Sequence, residues 1–146
     1  MPIREMTVQR RVDGTIDGAV EYHLRYSVRA SVLTDPLVAE FRALDMLAAP
    51  GAPSQGVFLA VSGAVRAYGR AAASTDDQHD EHTHFFTDGD DYQIGYRYLP
   101  PSGPPITRTY TLAAVRAAPG APSAEDFDAV TDFLVSYGDS AAGYVP

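Results

Sequence analysis

At 146 residues with a formal net charge of −8, the chain is long enough to bury a core without staples, and an apolar share of 45% argues against wholesale disorder. Cysteine and lysine are both absent, which excludes disulfides, thiolate metal sites, cysteine nucleophiles, Schiff-base chemistry and a phosphate-loop lysine. Eleven scattered arginines on an acidic chain make no basic stripe for nucleic acid, and no apolar run approaches the roughly 20 residues of a membrane span.

The amino terminus lacks the apolar stretch of a signal peptide, so the expectation is a soluble protein, cytoplasmic or assembled in a particle. Residues 5–12 alternate loosely and lead into two Asp-Gly steps, Asp13-Gly14 and Asp17-Gly18, suited to a turn. The clearest pattern follows. Val20, Tyr22, Leu24, Tyr26, Val28, Ala30 and Val32 alternate with polar residues, which predicts a strand with one buried face, paired with the first as a hairpin.

Asp35-Pro36 reads as an N-cap with proline at the first helical position, and Leu37, Val38, Phe41, Leu44 and Leu47 predict a helix over 36–48. Residues 57–61 and 64–73 read as strands bent near Ser62-Gly63, with Gly69 a bulge. Tyr92, Ile94, Tyr96 and Tyr98 alternate as another strand. Residues 100–105, PPSGPP, must turn, and 106–116 reads as its partner strand. Ser123 caps a last helix over 123–137, stopped by Gly138, and 139–146 reads as a flexible tail. Six residues recur, APGAPS at 49–54 and at 118–123, but the sequence otherwise discloses no internal repeat.

These elements predict one α+β domain over 1–146: a mostly antiparallel sheet of about six or seven strands, sandwich or barrel-like, with one internal and one C-terminal helix.

The acidic segment 76–91, DDQHDEHTHFFTDGDD, is the unusual chemistry. It holds seven carboxylates, which account for seven of the eight net negative charges, and three of the four histidines. If extended, His82 and His84 lie on one face about 7 Å apart, a spacing that suits a shared divalent metal with His79 and Asp88 as further ligands. His82, His84, Asp88 and Gly95 resemble the first cupin motif, a paired HxH followed by an acid and then a glycine. The departures are an Asp where that motif has Glu, Asp76 at its leading glycine, and no histidine after His84. The resemblance implies a metal-binding protein or metalloenzyme as the alternative reading. No serine sits in a nucleophile elbow, no calcium-loop or zincin spacing is met, and no catalytic residue is assigned.

Without a complete catalytic template, the leading expectation is a non-enzymatic assembly subunit. It would form a homo-oligomer, as coat, tail or decoration components of a virion do, and need no cofactor; its partners would be copies of itself or other particle subunits.

Overall fold

The computed structural model describes residues 2–11, 21–74, 80–86, 93–98, 100 and 102–145; for 9–11, 21 and 80–86 it describes the backbone. Six strands form one antiparallel sheet: β1 (Ile3–Arg11), β2 (Glu21–Arg29), β3 (Leu37–Arg42), β4 (Asp80–Phe86), β5 (Gln93–Tyr98) and β6 (Ile106–Thr111). Their order is β3-β2-β1-β4-β5-β6, so β1 and β4 meet in the middle, with Thr7 opposite Thr83. Among the described residues four helices accompany them: α1 (Ala43–Leu47), α2 (Gln55–Ala73), α3 (Leu112–Ala117) and α4 (Ala124–Ala142). The molecule is α+β, but it is neither a sandwich nor a barrel. The long helices α2 and α4 cover one face of the sheet, and exposed polar side chains such as Glu5, Arg25, Gln93 and Arg97 alternate with the buried ones.

Four assignments change with it. The strand expected over 106–116 ends at Thr111, whose side chain caps helix α3 by accepting from Ala114 N–H at 3.2 Å. Residues 37–42 are a strand with a five-residue helix behind it, rather than a helix over 36–48. Leu37 and Phe41, four apart, fit helical spacing and strand alternation equally well over so short a run, and pairing with β2 decides for the strand. Residues 55–73 are one helix rather than two strands: Phe58, Val61, Ser62, Val65, Gly69 and Ala73 recur at helical spacing, and Ser54 caps the first turn by accepting from Val57 N–H at 3.1 Å. Alanine, the strongest helix former, outweighs the valines there. At the carboxyl end, α4 runs to Ala142, so Asp139–Ala142 is helical rather than tail, and the helix stops at Gly143 in the left-handed region, φ 77°.

The element order is βββαα twice over. The short helices begin 69 positions apart (43 to 112), as do the long ones (55 to 124) and the two APGAPS loops that join them. Phe58 matches Phe127, Val61 matches Val130 and Gly51 (φ 81°) matches Gly120 (φ 79°). The repeat that the sequence hid is therefore structural. The halves are also crossed: α2 packs over β4, β5 and β6, whereas α4 packs over β2 and β3. The aromatic contacts are crossed likewise. Phe41 meets Tyr137 at 4.9 Å between ring centres, and the equivalent residues Tyr110 and Tyr68 meet at 4.7 Å.

Candidate functional site

Among the described residues, charge enters the core at one place. Arg4 shares the parity of Met6 and Val8 on β1, which puts a guanidinium on the buried face. Such a group needs a partner. Asp139, one turn from the end of α4, accepts from Arg4 Nε at 3.0 Å and from Nη2 at 2.8 Å, a bidentate pair. Tyr26 Oη donates to the same carboxylate at 2.5 Å, and Arg4 stacks over the Tyr144 ring at 5.7 Å. Hydrogen bonding to Asp139 raises the Arg4 pKa further above its already high value. Burial, reinforced by the bond to Asp139, pushes the Tyr26 phenol far above its usual range.

The cluster is structural in its chemistry. Both Asp139 oxygens and the Tyr26 hydroxyl are committed within it, and the solvent-open depression of about 510 Å³ beside it, lined by Ser136, Asp139, Ser140 and Tyr144, offers no uncommitted carboxylate. A pH dependence follows. Tyr26 has a folded-state pKa above its unfolded value, so its contribution is intact below about pH 10 and is lost as pH rises beyond that, where only the unfolded chain can ionise. Stability should fall by up to about 1.4 kcal/mol per pH unit there. Tyr26→Phe should flatten that slope in urea titrations run between pH 9 and 11, and an unchanged slope would count against it.

The pseudo-symmetry carries this cluster to a second place by position. Pairing Tyr26 with Tyr96 and Thr7 with Thr83 makes position 80 the equivalent of position 4. The equivalent of Asp139 is Arg70. The residues there are Asp80 and Arg70, the same two charges exchanged. Were each long helix laid over its own half, position 70 would fall against Arg4 and position 139 against Asp80, like charge with like in both cases.

The histidines resolve in part. His79 and Asp88 lie outside the described residues. Positions 82 and 84 fall on β4, two residues apart and on one face. That face is the helix-covered one: His82 is in register with Val8 and Tyr96, His84 with Met6 and Ile94, and all four partners are buried. The strand interpretation of HxH thus puts both positions among apolar ones, not on an open loop. No group of three histidines or acids that could hold a metal ion is found among the described residues.

The remaining feature is an exposed one. Among the described residues, five of the seven exposed large hydrophobics fall between 32 and 44: Val32, Leu33, Leu37, Val38 and Leu44. They surround the β2–β3 turn and the free edge of β3. The turn is well built. Thr34 N–H donates to the Ser31 carbonyl at 3.2 Å, Ser31 N–H donates to Thr34 Oγ1 at 3.1 Å, and Leu33 N–H donates to Ser31 Oγ at 3.2 Å. Its bonds hold the tip with Val32 69% and Leu33 93% exposed. Sequence reasoning placed Leu37 and Val38 on a buried helix face and so missed this surface; the Asp35-Pro36 step directly ahead of them was the available signal for an edge strand.

Among the described residues, no helix is long and apolar enough to cross a membrane. Comparison with protein-family models, with curated proteins and with solved structures finds no match to this chain.

Proposed function

We propose that the chain is a non-enzymatic assembly subunit whose partners are copies of itself, in the manner of coat, tail or decoration subunits of a particle. One observation carries the reading. Scattered exposed hydrophobics are ordinary on a folded surface, but a group of them on one turn and one open strand edge marks a site of association. The commitment of the Arg4–Asp139–Tyr26 cluster to internal bonds supports it, since no acid or base there is left to serve a substrate. The metal reading stands second and rests on the HxH spacing alone.

Sedimentation velocity over a wide concentration range tests the proposal, and a single monomeric species throughout would sink it. Leu33→Asp should shift the distribution toward monomer. Because Leu33 is almost fully exposed, the same substitution should change folding stability by no more than about 0.5 kcal/mol.

A further inference from the structure

The two edges of the sheet are equivalent by pseudo-symmetry but opposite in chemistry. β6 enters behind Pro104-Pro105 and exposes Thr107, Thr109 and Thr111, and Arg108 beside them donates from Nε to the Ala72 carbonyl at 3.3 Å. Proline and a charged side chain laid along the edge are among the devices that keep a strand from pairing with another chain. The matching positions on β3 are Val38, Glu40 and Arg42, with Leu37 in place of Ile106 and the apolar turn Val32-Leu33 ahead of them. Leu37 and Val38 are each 43% exposed. β3 shares the entering proline, Pro36 standing where β6 has Pro105, but it carries Leu37, Val38 and the apolar turn where the β6 edge is threonine-rich.

Resting on the assembly reading, we propose that β3 pairs antiparallel with β3 of a second copy about a two-fold axis at Ala39, joining two sheets edge to edge. The axis follows by elimination. A two-fold pairing that keeps the helix-covered faces together must centre on one residue of the strand. Centring on Glu40 sets Glu40 opposite itself, like charge on like. Centring on Phe41 leaves a ladder of three residues, because α1 begins at Ala43. Centring on Leu37 or Val38 brings Pro36, which has no N–H, into the ladder opposite Val38 or Glu40, and centring on Arg42 leaves one residue of the strand paired.

Ala39 avoids all of these. It sets Leu37 opposite Phe41 of the second copy on the covered face and Val38 opposite Glu40 on the open face, so the exposed stem of each strand lies along the other. Arg42, beyond the end of this ladder, then comes level with the Asp35-Pro36 step of the second copy. The strand is thus charge-complementary to itself at both ends. Asp35 is exposed, and the present partners of Arg42 include Asp45 at 3.3 Å, an exposed pair cheap to rearrange. The contact is isologous, so it closes at two copies, and the blunted β6 edge does not extend it into a filament.

The absence of cysteine makes the register directly testable. Val38→Cys and Glu40→Cys would face each other across the axis with Cα atoms about 5 Å apart, inside the disulfide range. Identical positions would stand roughly 8 Å apart, outside it. An equimolar mixture of V38C and E40C under mild oxidation should give mixed disulfide dimers in large excess over either variant alone. Val38→Lys should weaken self-association on the order of tenfold or more, with an unchanged circular-dichroism melt reporting an intact fold. If the wild type associates but the mixture crosslinks no better than the single variants, or V38K associates as before, the β3 contact is wrong and the assembly reading survives. Mixed disulfides between T107C and T109C would likewise overturn it, by moving the contact to β6. A wild type that stays monomeric at every concentration overturns both.

Discussion

Asp139→Ala is expected to destabilise the protein by about 3–5 kcal/mol, as removal of one partner from a buried ion pair does. Arg4 and Asp139 have side chains 10% and 11% exposed, so the arginine left behind is a largely desolvated charge that has lost its bidentate partner. Tyr26 loses its acceptor in the same step and keeps only a long contact of 3.4 Å to the Val135 carbonyl. The location supports a structural purpose. An acid near the carboxyl end of a helix works against the helix dipole, so Asp139 is retained there for what it binds. Urea denaturation of Asp139→Ala, Arg4→Met and the Arg4→Met/Asp139→Leu double variant separates the terms. The double variant should recover most of the loss, because two apolar side chains leave no charge to solvate. A cost below about 1 kcal/mol for Asp139→Ala would mean that the pair is solvated in solution and does not hold α4 to the sheet.

That cluster was half legible in the sequence. Arg4 stands in phase with Met6 and Val8, and an arginine on a buried parity announces a carboxylate somewhere in the fold. Which one could not be read, because the partner is 135 positions away and the segment holding Asp139 passed for a tail after Gly138. Gly138 looked like a helix stop because glycine usually is one. Here its missing side chain is what matters, and the helix continues to Ala142. β2 was legible because one uninterrupted alternation fixes its face over nine residues. α2 was misjudged because valine and glycine suggest a bent strand, although the alanines, the helical spacing and the Ser54 cap favour the helix that packs against β5 and β6.

The duplication escaped notice for a similar reason. The aromatic positions repeat in kind but not in identity, as with Phe41 and Tyr110, and the helical segments keep an offset of 69 while β2 and β5 are related by 70. β1 and β4 are related by 76, so the spacing shifts by six residues and then by one, enough to blur a repeat held together by pattern. The crossing of the helices is a step further from view. Nothing in either half announces that its long helix will cover the other, except the exchanged charges at positions 4 and 139 and at 80 and 70, which acquire meaning once the register is known. For the histidines, spacing was legible and setting was not: two residues apart predicts one face of a strand, but which face follows from the register with β1 and β5.

Gly69→Ala and Gly138→Ala should each destabilise the protein, although the same change on an exposed helix would stabilise it by about 1 kcal/mol. A Cβ at Gly138 would stand 2.5 Å from a Tyr26 ring carbon, and one at Gly69 would stand 2.3 Å from the Tyr96 ring and 2.7 Å from Tyr110 Oη. Neither tyrosine ring is exposed at all, and Tyr26 is held at its far end by Asp139, so the rings cannot swing aside without moving a strand. Overpacking of this kind costs about 1–3 kcal/mol, and valine at either position should cost more. The informative part is the coupling. Gly138 belongs to the second βββαα unit and touches a tyrosine of the first, whereas Gly69 belongs to the first and touches a tyrosine of the second. Double variants with Tyr26→Leu or Tyr96→Leu should therefore show interaction energies of about 0.5–3 kcal/mol for Gly138→Ala with Tyr26→Leu and for Gly69→Ala with Tyr96→Leu. The pairs taken within one unit, Gly69→Ala with Tyr26→Leu and Gly138→Ala with Tyr96→Leu, should be additive. Coupling within units instead would mean that each long helix lies on its own half of the sheet, which would also bring the like charges at positions 4 and 70 together.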